Sequence, residues 1–185
     1  MILVAGTLII FATVPLLGGR LGRVGSIRFA RIELLALALV LQIGVLQVAS
    51  DSVPGRVAAV AHVLSYALAA GFVWRNRRIP GLSLIGIGGL ANLLAIAANG
   101  GVMPASPEAY AAAGLDTSPG FANSVPFGDA RLAWLGDVFH TPGWLPLANV
   151  FSIGDVLLLV GAAVLVHQVG GSRVALRLAR VPARP

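Results

Sequence analysis

Long apolar runs separated by short polar segments dominate this chain. Five of them approach the length of about 20 residues that an α-helix needs to cross a bilayer. They cover residues 2–17, 32–49, 57–74, 79–98 and 149–168. The pattern predicts an all-α fold, in which residues 1–185 form a single membrane domain with about five transmembrane helices.

Arginine is concentrated in every second connecting segment. The segment before the second run, the segment after the third run and the tail, residues 169–185, are basic. In the long segment after the fourth run, most of the charged residues are acidic. Because basic segments stay on the cytoplasmic side of a membrane, this alternation predicts an outside N-terminus, an inside C-terminus and an outside loop over residues 100–148.

Composition narrows the class of protein further. The chain is 57% hydrophobic and only 11% charged, whereas soluble domains carry about a quarter charged residues. The net charge of +6 does not indicate nucleic-acid binding, because the arginines lie in short clusters between apolar runs. Cysteine is absent, and neither a metal-binding pattern nor a nucleotide-binding motif is visible. We therefore expect no cofactor, no metal and no nucleic-acid partner.

The outside loop, residues 100–148, is too long for a simple connector, and we call it the outer cap. Ser106, Pro107 and Glu108 form a good helix start, which predicts a short helix that ends at Gly114. A second short helix is predicted from Asp129 to Leu135. The outer cap is therefore expected to fold on the outer surface of the membrane.

Polar residues inside apolar runs are candidates for function, since they are costly in lipid. Asn92 and Asn99 are seven residues apart and share one helix face. Gly88 and Gly89 lie nearby and would let another helix approach closely. The main interpretation of the two asparagines is hydrogen bonding between helices, and the alternative is ligand binding. His140 in the outer cap and Ser152 at the start of the last run are further candidate binding residues.

Asp137 and Asp155 flank the start of the fifth run and allow two interpretations. A folded-back loop between them would bring the two carboxylates together, and such a pair performs the acid–base chemistry of aspartic proteases. Alternatively, Ser152 and Asp155 have the spacing of a capping box, so that Asp155 stabilises the start of a helix near Ile153. The two roles are compatible.

Most of the chain resembles a bacterial family of small integral membrane proteins of unknown function. The resemblance is carried by Asn99–Pro104, Arg131–Asp137 and Val150–Asp155. It implies a location in the bacterial cytoplasmic membrane, with membrane lipids as partners, and it implies no activity.

The last part of the chain is also similar to lipoprotein signal peptidase, the aspartyl signal peptidase II. Gly136–Phe139 and Val150–Asp155 resemble the two aspartate motifs of that family, with Ser152 in the place of a motif asparagine. This resemblance implies an outward-facing Asp137/Asp155 dyad. The favoured function is a non-enzymatic membrane protein that binds lipid or a protein partner, such as a lipoprotein, at its outer face. The alternative is an intramembrane aspartyl hydrolase.

Overall fold

A computed structural model describes residues 2–44, 55–115, 124–126, 129–145 and 148–175. The described part of the chain is mostly helical, as the apolar pattern predicts. Its α-helices are α1 (Ile2–Leu16), α2 (Leu21–Val24), α3 (Ile32–Ile43), α4 (Gly55–Arg75), α5 (Leu82–Ala98), α6 (Pro107–Ala112) and α7 (Ile153–Gly170). The end of the predicted second run and most of the basic tail lie outside the described residues.

Only α7 is both long and apolar enough to cross a membrane by itself among the described residues. Its 18 residues span about 27 Å at a rise of 1.5 Å per residue. Four shorter apolar helical segments accompany it: Ile2–Leu16, Ile32–Ile43, Val63–Arg75 and Leu82–Ala98.

The helices pack as two groups. α5 lies closely along α7, which also contacts α1 and α2, while α3 pairs with α4. α4 approaches α5 much more sparsely, so the two groups are loosely joined along their length. A cluster of buried side chains from α1, α4, α5 and α7 connects them near the cytoplasmic end predicted from the charges: Val14, Phe72, Leu82, Leu165 and Val166.

Glycines set the close approach of α5 and α7. A Cβ on Gly88 would lie 2.6 Å from the carbonyl oxygen of Gly154, and a Cβ on Gly161 would lie 2.8 Å from that of Gly81. Both glycine pairs span seven residues in opposite chain directions, so the two helices are antiparallel and share a backbone-to-backbone seam. Gly81 also has a positive φ of 82°, which other residues rarely adopt.

The outer cap and the segment that joins it to α7 contain short strands that the sequence patterns did not predict. β1 (Met103–Ala105) pairs in parallel with β2 (Ser124–Pro126), and β3 (Phe139–His140) pairs antiparallel with β4 (Val150–Phe151). α6 begins as expected, because the Ser106 hydroxyl accepts a hydrogen bond from the Ala109 backbone at 3.2 Å. The predicted helix from Asp129 to Leu135 is only a 3-10 helix over Ala133–Leu135, preceded by Leu132 with a φ of 51°.

Large apolar side chains are exposed on every long helix. Examples on the five longer helices are Leu8, Val40, Val63, Leu90 and Val160. Apolar patches on soluble monomers rarely exceed a few hundred Å², whereas here each helix presents an uncovered apolar face.

Candidate functional site

A closed ring of hydrogen bonds joins α5 to the start of α7. The Asn92 Nδ2 atom donates to Asp155 Oδ1 at 2.9 Å, and the Ser152 hydroxyl donates to Asn92 Oδ1 at 2.8 Å. The Asp155 backbone N–H donates to the Ser152 hydroxyl at 3.0 Å, and the Ser152 backbone N–H donates to Asp155 Oδ2 at 3.2 Å. Three predicted site residues, Asn92, Ser152 and Asp155, therefore lie in one network.

Local sequence explains how this network forms. Ser152 is the N-cap of α7, and both halves of a capping box are present, as the spacing of Ser152 and Asp155 predicts. The Ser152 side chain is 0% exposed, so its hydroxyl needs a protein acceptor, which Asn92 supplies. Gly154 lies between them, and any Cβ there would overlap the Asn92 amide. The glycine therefore makes room for the asparagine.

Asp137 lies in the outer cap, close to the start of α6. Its backbone N–H donates to the Pro104 carbonyl at 2.8 Å, and its own carbonyl accepts from the Ser106 N–H at 3.0 Å. The residue is only 7% exposed. Asp137 is thus an integral part of the cap, held beside β1 by a parallel bridge to Ala105.

The chain between the two aspartates folds back on itself. β3 and β4 pair so that Phe139 lies opposite Phe151, and their rings stack with centroids 5.5 Å apart. At the loop end of this hairpin the Thr141 N–H donates to the Asn149 carbonyl at 2.9 Å. The hairpin returns the cap to the start of α7. The His140 side chain, a predicted binding residue, is exposed on β3, and its Nδ1 atom lies 3.4 Å from the Thr141 carbonyl oxygen.

Asn99 fastens another part of the cap to the bundle. Its Oδ1 atom accepts from the Arg131 N–H at 2.9 Å, and its Nδ2 atom donates to the Arg131 carbonyl at 2.7 Å. Nδ2 also donates to the Ala95 carbonyl of its own helix at 2.8 Å. Asn99 and Asn92 therefore share a helix but not a site, since they bind different segments.

The outer cap encloses a cavity of about 300 Å³ beside α6. Its walls are mostly apolar, and its lining includes Pro104, Glu108, Ala133, Trp134 and Val138. The Trp134 side chain is 68% exposed. A hydrogen bond from the Ser106 hydroxyl at 2.6 Å, followed by a local backbone hydrogen bond, lowers the pKa of Glu108. The cavity thus combines an aromatic side chain with a carboxylate that is ionised at neutral pH.

Within the described residues, no group of three His, Asp or Glu side chains is placed to hold a metal ion. Comparison with known protein families matches residues 26–167 to a family of unknown function (DUF5317). The chain belongs to this family.

The DUF5317 match covers well over half of the chain and includes α3, α4, α5 and the outer cap. It also includes every site residue predicted from the sequence. No curated protein and no solved structure matches the chain. Membership of DUF5317 supports the predicted uncharacterised family and brings no activity with it.

Sequence reasoning missed several residues that the DUF5317 fold uses. Gly154 and Gly161 form the α7 side of the α5–α7 seam. They are seven residues apart, as are Gly81 and Gly88, and this matching spacing could have indicated the seam. Gly89 was expected to contact another helix, but a Cβ placed on it would have no atom within 4 Å outside its own helix and chain neighbours. Asn76 binds the Ala30 backbone through both atoms of its amide, and nothing in the local pattern indicates that partner.

Proposed function

We propose that this DUF5317 protein crosses the bacterial cytoplasmic membrane five times and binds a lipid headgroup at its outer face. The binding site is the cavity of the outer cap, and the preferred headgroup carries an ammonium. The observation that carries the proposal is the pairing of Trp134 and Glu108 in one cavity of about 300 Å³.

The exposed apolar faces support the membrane location. The longer helices expose side chains such as Leu8 (66%), Val40 (65%) and Val63 (65%). In water such faces would promote aggregation, whereas in a membrane the lipid tails solvate them. Although four of the apolar helical segments are short, helices shorter than the hydrocarbon thickness are accommodated by local thinning of the bilayer.

The charge distribution supports the orientation. Arg31 precedes α3 and Arg75 ends α4 at one end of the bundle, where Arg77 and Arg78 follow, whereas the first turn of α4 at the other end holds Arg56. The acidic residues of the outer cap, Glu108 and Asp137 among them, lie at the other end of the bundle. Basic segments stay in the cytoplasm, so the N-terminus lies outside and the C-terminus inside.

The chemistry of the cap cavity favours an ammonium group. A cation gains energy over the face of an indole ring, and the ionised Glu108 carboxylate supplies an opposite charge. Trp134 and the exposed Trp144, at 81%, are the residue type that concentrates at the headgroup level of membranes. The cavity therefore lies where a phosphatidylethanolamine headgroup is available.

The test uses Trp134 as the reporter. In a Trp74→Phe, Trp144→Phe background, Trp134 is the remaining tryptophan, because the chain has three. We expect its emission to shift in nanodiscs with phosphatidylethanolamine but not in nanodiscs with phosphatidylglycerol alone. Glu108→Gln should abolish the difference, and Asp129→Asn, an exposed acid of the cap that does not line the cavity, should preserve it. Equal emission in both lipids would overturn the headgroup site.

Topology is tested separately by reporters at the two ends of the chain. Alkaline phosphatase fused to the N-terminus should be active, and green fluorescent protein fused to the C-terminus should fluoresce. Because these reporters act on opposite sides of the membrane, the reverse result would overturn the orientation without involving the lipid site.

An intramembrane aspartyl hydrolase is the second candidate. The observation that favours it is the β3–β4 hairpin, which returns the chain segment after Asp137 to the segment before Asp155. Asp155→Asn keeps an oxygen that can accept the hydrogen bond from the Ser152 backbone N–H, but it removes the ionisable carboxyl group. If the dyad acts, Asp155→Asn and Asp137→Asn each abolish cleavage of a lipidated precursor while melting near the parent temperature. No cleavage by the parent protein would remove this candidate.

A further inference from the structure

An apolar cavity of about 430 Å³ lies between the α3–α4 pair and the α5–α7 pair. It exists because α4 and α5 meet only sparsely, while each is tightly packed on another helix. Its lining is mostly apolar and includes Leu35, Phe72, Leu82, Leu93, Leu158 and Leu165, together with the polar Gln42 and Tyr66. Its volume is in the range of small-molecule sites in proteins, about 300–1,000 Å³.

The cavity is elongated along the helices. On α5 its lining runs from Leu82 to Leu93, which corresponds to about 16 Å at 1.5 Å per residue. Half of a hydrocarbon core of about 30 Å is about 15 Å. The length of the cavity therefore matches one extended acyl chain in a single leaflet.

One wall of the cavity is open at Gly89. No atom outside its own helix and chain neighbours lies within 4 Å of the position that a Cβ would occupy there. Gly86 also lines the cavity. A flexible apolar chain can lie against the backbone of α5 at Gly89, whereas at Gly86 the Val73 side chain already lies 2.6 Å from the position of a Cβ.

Arginines lie close in sequence to the residues that line the end of the cavity nearest the start of α3. Phe29 lines this end between Arg28 and Arg31, and Val73 lines it two residues before Arg75. Arg31 forms an ion pair with Glu33 at 3.4 Å. Arg28 and Arg75 are exposed and have no described carboxylate within 4 Å, which leaves their charges available for a phosphate.

We propose that this cavity binds one acyl chain of an anionic phospholipid from the cytoplasmic leaflet, with the phosphate held by Arg28 and Arg75. The site is separate from the outer headgroup site, but it rests on the orientation proposed above. The apolar walls select the chain, and the arginines select an anionic headgroup over a zwitterionic one.

Electron spin resonance of chain-labelled phospholipids tests this proposal in reconstituted protein. We expect spin-labelled phosphatidylglycerol to show an immobilised fraction at least threefold larger than that of spin-labelled phosphatidylcholine. Gly89→Leu fills the cavity and should reduce the phosphatidylglycerol fraction to the phosphatidylcholine level. Ala97→Leu adds the same side chain at an exposed position of α5 that does not line the cavity, and it should change nothing.

A charge-matched pair of variants tests the headgroup. Arg28→Gln with Arg75→Gln should lose the preference for phosphatidylglycerol, whereas Arg20→Gln with Arg23→Gln, which removes the same charge beside α2, should keep it. If Gly89→Leu does not fold, these arginine variants decide whether the proposed lipid site stands. Equal immobilisation of the two lipids by the parent protein would overturn the site. If the C-terminal reporter is instead found outside, the orientation and the lipid site fall together.

Discussion

Asn76 and Asn99 make the same three hydrogen bonds at the ends of two different helices. Each Nδ2 atom donates to the carbonyl four residues earlier in its own helix, at 2.8 Å in both cases. Each amide also pairs with both backbone groups of a distant residue: Asn76 with Ala30, and Asn99 with Arg131. In each case one side chain both ends a helix and holds a connecting segment. Asn76 does so at the predicted cytoplasmic end of the bundle, and Asn99 at the predicted outer end.

The outer of these two attachments predicts a protease-sensitive variant. Arg131 is the only arginine between Arg78 and Arg173, and the chain has no lysine, so trypsin has one cleavage site in the outer cap. Asn99→Ala removes the side chain that holds the Arg131 backbone. We expect tryptic cleavage after Arg131 to become about tenfold faster, which corresponds to about 1.4 kcal/mol of local stability.

Asn149→Ala is the matched control for this experiment. The hydrogen bonds between Asn149 and Thr141 involve the backbone of Asn149, so the substitution should leave the cleavage rate near that of the parent protein. Equal rates for Asn99→Ala and Asn149→Ala would show that Asn99 does not hold the cap.

Asn76→Ala is expected to affect the global stability instead. Asn76 is 5% exposed, and its loss leaves the backbone groups of Ala30 without their partners. Ala30 itself is exposed, so the loss is that of the three hydrogen bonds of Asn76, at about 0.5–1.5 kcal/mol each, and the melting temperature in detergent should fall by several degrees. Circular dichroism at 222 nm measures this change. A melting temperature equal to that of the parent would contradict the role of Asn76.

The sequence predicts the five long helices well because each one needs an apolar run of recognisable length. The starts of α6 and α7 were also predictable, since Ser106 and Ser152 carry local capping signals. The pairing of Asn99 with Arg131 was not, because its partners are 32 residues apart and only tertiary structure brings them together.

The contacts of the site residues also divide into those that follow from local sequence and those that depend on tertiary structure. The capping contact between Ser152 and Asp155 follows from local spacing, while the contact of both with Asn92 depends on the α5–α7 seam. The short strands of the outer cap carry no alternating pattern, because β3 and β4 have two residues each. The cavity between the helix pairs is a gap, and a gap leaves no pattern in the sequence.

Gly88 and Gly89 allow a direct test of the α5–α7 seam. A Cβ on Gly88 would meet the Leu158 backbone nitrogen at 2.9 Å as well as the Gly154 carbonyl, whereas a Cβ on Gly89 meets nothing within 4 Å. We expect Gly88→Ala to destabilise the protein by about 1–3 kcal/mol through overpacking. Gly89→Ala should be neutral or stabilising by up to about 1 kcal/mol, because alanine favours helix. Similar melting temperatures for the two variants would contradict the seam.

Glu108 predicts a pH-dependent contribution to the fold of the cap. The Ser106 hydroxyl and the local backbone lower the pKa of Glu108 in the folded protein. The resulting stabilisation is complete above the ordinary pKa of 4.5 and is lost as the pH falls through the lower folded value. Ser106→Ala should raise the pKa of Glu108 toward 4.5, as measured from its side-chain carboxyl resonance in an NMR titration. An unchanged titration curve would contradict the hydrogen bond.

Asn92 and Ser152 provide the most specific test of the network between α5 and α7. Ser152→Ala loses both the cap of α7 and the contact with Asn92, so its single effect does not separate the two. A double-mutant cycle with Asn92→Ala isolates the contact. We expect a coupling between about 0.6 kcal/mol, the average for hydrogen bonds between membrane helices, and about 1.7 kcal/mol, the maximum, in unfolding free energy. If the effects of the two substitutions simply add, the hydroxyl of Ser152 does not depend on Asn92. The ring of hydrogen bonds then contributes no more stability than the capping box of α7 does by itself.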